Sequence, residues 1–355
     1  ANSSAAIDQD GLLYVWGNND NGQLGVDGKI VVYPTLVEAL KDNPATPNAD
    51  ETILVSAVEL SESHTIIIDA LTKRAYTWGK NDHNQLGYQQ SILNNGKPMT
   101  SPSTENYAKE AHLVTRDKGD LNFLEVASGK NHSVGIVIPA SEAETATQGT
   151  VYAWGDNTYG QLGQNTSGSS SAVLQAVKKS NGESITNAVA VAAAGNYSLA
   201  LTADGIVYAW GDNTYDQLGT SSTVDGDFDK YPVHVTQGTS ASGTYTDENG
   251  VVTTDEHLSN IIQIAAGDNY SAALKADGTV YVWGINNYTV GGKQSSSKGT
   301  NDTRMAPYQI ISGDYDSSKI KTDSRFDAAY IQTVAKISAG SNHLMMLTNK
   351  YYGET

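Results

Sequence analysis

Apolar residues in this chain fall in short runs, each bounded by Gly, Asp or Asn. Tyr197–Leu201 reads YSLAL, Ile261–Gly267 reads IIQIAAG, and Tyr270–Leu274 reads YSAAL. Runs of this length between turn residues predict strands. The run ending at Leu201 passes through Ala203-Asp204-Gly205 into IVYAWG. Asp-Gly between two apolar runs predicts a hairpin, because Gly tolerates a positive φ. Asp10-Gly11 and Asp277-Gly278 repeat the signal. In another copy the turn is Leu71–Lys73, and in a third it stretches over Pro139–Gly149. No segment sustains a 3.6-residue apolar period, so no long helix is expected.

The hairpins recur. Five segments share one pattern: GLLYVWGNNDNGQLG from Gly11, RAYTWGKNDHNQLG from Arg74, GTVYAWGDNTYGQLG from Gly149, GIVYAWGDNTYDQLG from Gly205 and GTVYVWGINNYTVGG from Gly278. All five Trp of the chain occupy this slot: Trp16, Trp78, Trp154, Trp210 and Trp283. After each Trp-Gly, Asn and Asp side chains are placed to bond their own backbone and hold a turn. A second block, such as VAVAAAGNYSLALTADG, precedes four of the segments and, as VAKISAGSNHLMMLT, closes the chain. His64, His132 and His343 share one aligned slot in it with Tyr197 and Tyr270, and NSSAAIDQDG at the start is a truncated copy. Antiparallel units repeating at such offsets predict a solenoid or a propeller.

The linked motifs, AGxxHSLAL-TADG-xVYxWGxNxxGQLG in consensus, resemble the repeat of the regulator of chromosome condensation family. The resemblance runs from end to end, interrupted only by inserts. It implies an all-β fold, a β-propeller of four-stranded antiparallel blades, usually seven to a ring. Residues 1–355 read as a single propeller domain with about five to six blades' worth of strands. Its repeats are placed at about 1–63, 64–131, 132–196, 197–269 and 270–342, with a partial copy over 343–355. Ser3–Ile7 and His343–Leu347 are the same element at opposite ends. That count predicts no closed seven-bladed ring from this chain alone; the outcomes are a smaller ring or, favoured, end strands that pair with further repeats or a neighbour.

Inserts separate Gln-Leu-Gly from the next Ala-Gly strand, over Val26–Thr52, Tyr88–Leu121, Gln164–Thr186, Thr220–Ser259 and Gly292–Ile331. Each supplies an outer strand, and the surplus has the length of functional or disordered loops. Within the fourth, Thr244–Thr253 reads as a small hairpin turning at Asn249-Gly250. Tyr231, Tyr245, Tyr308, Tyr315 and Tyr330 lie in these inserts and are the candidate binding residues, since Tyr gives large contact area at low entropic cost.

Composition narrows the functions. Asp and Glu number 39 against 22 Lys and Arg, a net charge of −17. An acidic surface does not displace counterions from nucleic acid and is not drawn to anionic membranes. No stretch approaches the roughly 20 apolar residues of a membrane span. The chain has no Cys, hence no disulfide, thiolate metal site or cysteine nucleophile. The acidic, Cys-free palette points to an extracellular, cell-surface or virion-surface setting.

The five Trp, in identical contexts, are expected to be structural and buried between blades. The His/Tyr interchange points to a packed, hydrogen-bonded ring, and no HExxH-type spacing is present. Asp225, Asp227 and Asp229 have the first spacings of a calcium loop, but Lys230 and Thr236 stand where its Gly and Glu belong. They are a weak Ca²⁺ candidate, and no other cofactor or metal is expected. No phosphate loop, nucleophile elbow or dinucleotide fingerprint occurs, and no carboxylate pair stands out for glycoside hydrolysis. The chain therefore reads as a non-enzymatic binding or scaffold module. Its partners are a protein, a glycan or sibling subunits of a filament or fibre, met through the inserts. The resemblance supplies two alternatives, an intracellular regulator of the guanine-nucleotide exchange type and an enzyme-inhibitor propeller.

Overall fold

The structure, a computed structural model, describes residues 2–40, 52–88, 107–116, 119–220, 228–236, 245–246, 252–253, 257–285, 304–310 and 333–348. The first sheet holds β1 (Ser3–Ile7), β2 (Leu13–Asn18) and β3 (Ile30–Leu36) in that order. The second holds β4 (Val55–Leu60), β5 (His64–Asp69), β6 (Ala75–Lys80) and β7 (Tyr107–Leu113). A small hairpin of β8 (Thr115–Arg116) and β9 (Gly119–Asp120) follows. The third sheet holds β10 (Asn122–Ser128), β11 (His132–Ile138), β12 (Thr150–Gly155) and β13 (Ser171–Ala176). The fourth holds β14 (Ala188–Ala194), β15 (Tyr197–Thr202), β16 (Val207–Asp212) and β17 (Phe228–His234).

A second small hairpin pairs β18 (Tyr245–Thr246) with β19 (Val252–Thr253). It lies within the segment expected to form one, whose turn is outside the described residues. The fifth sheet holds β20 (Ile261–Ala266), β21 (Tyr270–Lys275), β22 (Val280–Ile285) and β23 (Arg304–Gln309). The sixth holds β24 (Val334–Gly340) and β25 (His343–Thr348). Helix among the described residues is confined to 3-10 turns at Glu38–Leu40 and Ala140–Glu142. The architecture is thus all-β, with the four-stranded antiparallel blades expected of a propeller.

The hairpin turns follow the Asp-Gly signal. Gly205 takes φ 79° and its N–H donates to the Thr202 carbonyl at 2.9 Å. Gly11 and Gly278 repeat this conformation, while Lys73 is forced to φ 59° at the corresponding turn. Each four-stranded sheet is staggered from the sequence period, because its first strand comes from one repeat and the next three from the following repeat. That stagger ties neighbouring repeats together covalently.

Apolar clusters fill the spaces between consecutive sheets. Val134, Ile136 and Val151 of the third sheet, for example, pack with Val191, Ala200 and Trp210 of the fourth. The second strands β5 and β15 are buried at every residue, which is why they read as continuous runs and not as alternations. The end strands differ. In β25, Met345 and Leu347 are 61% and 64% exposed, because no sheet among the described residues covers that face. β1 alternates between exposed and partly buried residues for the same reason.

Candidate functional site

The repeated polar residues build joints between sheets. After each Trp-Gly the chain turns, and Asn157 Oδ1 accepts the Leu162 N–H at 3.1 Å while Gln161 Oε1 accepts the Tyr159 N–H at 2.7 Å. Asn213 and Gln217 repeat this pair, as do Asn19 and Gln23. The turn leaves the Gln carbonyl pointing at the next sheet. Trp78 Nε1–H donates to the Gln23 carbonyl at 3.0 Å, Trp154 to Gln85 at 2.9 Å, Trp210 to Gln161 at 2.8 Å and Trp283 to Gln217 at 2.8 Å. The hydroxyls of Thr65, Ser133, Ser198 and Ser271 donate to the same four carbonyls.

Trp78, Trp154, Trp210 and Trp283 are fully buried. Trp16 departs from the expectation that all five are buried at blade interfaces. It is only partly buried, and its indole meets no Gln carbonyl, since no sheet precedes its own among the described residues.

A second chain of bonds runs through the His/Tyr slot. His64 Nε2 lies 2.8 Å from Ser133 Oγ, and His132 Nε2 lies 2.9 Å from Ser198 Oγ. Each serine spends its proton on a Gln carbonyl, so each imidazole is the donor through Nε2–H. His64 Nδ1 lies 2.9 Å from Ser61 Oγ and 3.0 Å from Ser63 Oγ. Burial, and for His64 the neighbouring His132, pulls His64 down to about 3; burial pulls His132 down to about 4, so both rings are neutral. Tyr197 instead donates to the Gly267 carbonyl at 3.0 Å, and burial raises its phenol. The glycine ahead of the slot is steric in origin: a Cβ on Gly267 would lie 1.9 Å from the Tyr270 ring, and one on Gly129 2.1 Å from the His132 ring. These His are structural groups, as their interchange with Tyr indicates.

The first strands surround one cavity of about 810 Å³. Its wall is formed by the ends of β4, β10, β14, β20 and β24 and the turn after each, with Asn2 ahead of β1. Adjacent turns are fused: the Lys130 N–H donates to the Gly195 carbonyl at 2.8 Å, and the Asp268 N–H to the Ser341 carbonyl at 3.1 Å.

Strand register defines an equivalent position on each first strand, occupied by Ala57, Glu125, Ala190, Gln263 and Lys336. Gln263 clamps the next sheet with two bonds. Its Oε1 accepts the Ile337 N–H at 2.9 Å and its Nε2 donates to the Ile337 carbonyl at 3.0 Å. Glu125 makes the matching bond to the Val191 N–H at 2.9 Å. Burial pushes its carboxyl up to about 7 against the pull of that N–H. A protonated Glu125 has the donor that Gln263 uses on the partner carbonyl. Glu59, near Glu125, is pushed up to about 7 by burial first and the Glu125 charge second. Its accessible surface faces the cavity, so the carboxyl is wetted and enclosed at once.

The candidate insert residues are not brought together in one site. Tyr231 is partly buried on β17, Tyr245 stands on β18 and Tyr308 on β23, while Tyr315 and Tyr330 lie outside the described residues. Asp229 stands on β17 opposite Gly211, and Asp225 and Asp227 lie outside the described residues. Among the described residues no group of three His, Cys, Asp or Glu could hold a metal ion. No described helix is long and apolar enough to cross a membrane. Sequence reading missed Glu59 and Glu125. The signal was present as acids in the first-strand slots that other copies fill mostly with small or neutral residues.

A family model described as the Regulator of chromosome condensation (RCC1) repeat matches residues 10–68, 74–136, 148–201 and 204–274. A second of the same description matches 188–217 and 261–289. The human E3 ubiquitin-protein ligase HERC2 is 22% identical over 346 residues, covering 97% of this chain and 6% of that protein. The Ultraviolet-B receptor UVR8 of Arabidopsis thaliana is 24% identical over 385 residues, covering 99% of this chain and 73% of the receptor. The crystal structure of Prp20p from Saccharomyces cerevisiae superposes with a TM-score of 0.55 at 19% identity, covering 88% of this chain and 61% of the other. The chain thus spans a small part of HERC2, and the likeness to Prp20p concerns the fold.

Proposed function

The chain belongs to the regulator of chromosome condensation repeat family, and from that premise we propose that it is a non-catalytic binding module. It recognises a protein through its inserts. The carrying observation is the division of labour along the repeat. The shared polar residues are spent on the fold: Asn and Gln side chains close the turns, and Trp, Ser and the His/Tyr slot bond between sheets. The inserts share no sequence and are the part free to specify a partner. Prp20p, which has the same fold, is described by its binding to Gsp1p and histones. A rigid series of packed sheets carrying variable loops suits such recognition. The extension to a surface-exposed assembly rests on the acidic, Cys-free composition.

The test is removal of Gly238–Asp255, which carries the β18–β19 hairpin and lies outside the joints. Partner capture from the native source should be lost while the thermal transition stays in place. Capture from secreted and cytosolic fractions in parallel locates the partner, and a glycan array reports a lectin mode. Full capture by the deleted chain would remove this insert from the reading.

A further inference from the structure

We propose that the cavity between the first strands is a binding site for an organic ammonium group, with the Glu59 carboxylate as its counter-ion. The inference goes beyond the insert-mediated reading and does not depend on it.

Register places Glu59 in the slot that Ala127, Ala192, Ala265 and Ser338 fill on the other first strands. Ala127 and Ala265 are buried in the packing between sheets, whereas the longer Glu59 is exposed and lines the cavity. Nothing in the fold uses this acid: among the described residues Glu59 makes no hydrogen bond or ion pair, whereas Glu125 is committed to the Val191 N–H. The Glu59 side chain is exposed to the cavity and stands near the Glu125 charge, and a cation reaching it there offsets that repulsion.

The rest of the wall fits an aliphatic ammonium. Ala193, Ala266 and Ala339 offer apolar surface for methylenes. Asn196, Asn269 and Asn342 line the cavity with carboxamides that make no side-chain hydrogen bond among the described residues. A cavity of about 810 Å³ falls within the ~300–1,000 Å³ of small-molecule sites. A bare metal ion fits poorly, because Ca²⁺ takes roughly 6–8 oxygen ligands and no described cluster of three ligating side chains exists here. The other charged groups facing the cavity are Glu62, Lys130 and Asp268 on the turns, with His343 beside them; Glu125 stands behind Glu59 on β10. The acids outnumber the one lysine, and the chain's net charge of −17 draws cations toward it.

Calorimetric titration of the full chain tests this with two probes, spermidine for a free polyamine and Nα-acetyl-lysine amide for a protein side chain. The expected result at pH 8 is saturable one-to-one binding of at least one probe. It should weaken tenfold or more in Glu59→Gln and persist in Glu62→Gln, a rim control, while 1,7-heptanediol gives no heat. With Glu59 at about 7, apparent affinity should fall about 30-fold between pH 8 and pH 5.5, because only the ionised carboxylate pairs with the ligand. At pH 6.5 the unmodified chain should release protons on binding, a readout that does not rely on any variant. No saturable binding of either probe at millimolar concentration would overturn the proposal. So would equal affinity in Glu59→Gln, which would assign the binding to the general acidic surface, or zero proton release.

Discussion

Replacing Glu125 with Gln should make the protein more stable at high pH and leave it unchanged at low pH. Gln263 shows what the position does in its amide form, a two-bond clamp on the next sheet. A carboxylate at the same place accepts one of those bonds and leaves the other carbonyl without a donor. The folded-state value near 7 lies above the ordinary carboxyl value of 4.5. The folded protein therefore holds the proton more tightly than the unfolded chain, so the stability this group contributes is complete below about 4.5 and is lost as pH rises through about 7. A rise of this size corresponds to about 3 kcal/mol, and to about 2 after allowing for partial exposure. For a chain of this length that is a few degrees in Tm. Thermal melts from pH 5 to pH 8 should show the unmodified protein losing stability with rising pH. Glu125→Gln should have a flatter profile, meeting it near pH 5 and exceeding it at pH 8. An identical slope in the variant, or a variant less stable at pH 8, would refute the clamp.

Other positions give sharp contrasts. Trp210→Ala should cost about 3–5 kcal/mol by denaturant unfolding, as for a buried aromatic, whereas Trp16→Ala should cost well under half of that. Lys73→Gly should stabilise by about 0.5–1 kcal/mol in the same assay, since the turn demands a positive φ that glycine adopts without strain. Gly267→Ala should destabilise by several kcal/mol, because its Cβ would overlap the Tyr270 ring.

Much of the fold was legible in the sequence because each repeat states its own local chemistry. Asp204-Gly205 and Asp277-Gly278 announce the hairpins, and Trp-Gly followed by Asn and Gln announces a closed turn. Five copies of one pattern can be read without coordinates. Properties that depend on a neighbouring sheet were not legible. Trp16 has the same context as Trp210 but lacks the preceding carbonyl, so identical sequence gives different burial. The equivalence of Glu125 and Gln263 was hidden, because a bulge after the start of each first strand shifts the register and the flanking residues differ. Glu59 carries no motif; its meaning comes from the Ala residues that face the same cavity from other strands. The insert Tyr were chosen for composition alone, and the described strands do not gather them into one surface.

The account rests on joints in which each indole N–H is held by the Gln carbonyl of the preceding sheet. The most direct measurement is hydrogen exchange of the five indole N–H groups by ¹⁵N-resolved NMR, assigned by single Trp→Phe substitutions. The account predicts four slowly exchanging signals, from Trp78, Trp154, Trp210 and Trp283, and one that exchanges at once, from Trp16. Rapid exchange of any of the four, or protection of Trp16 equal to theirs in the isolated chain, would contradict it.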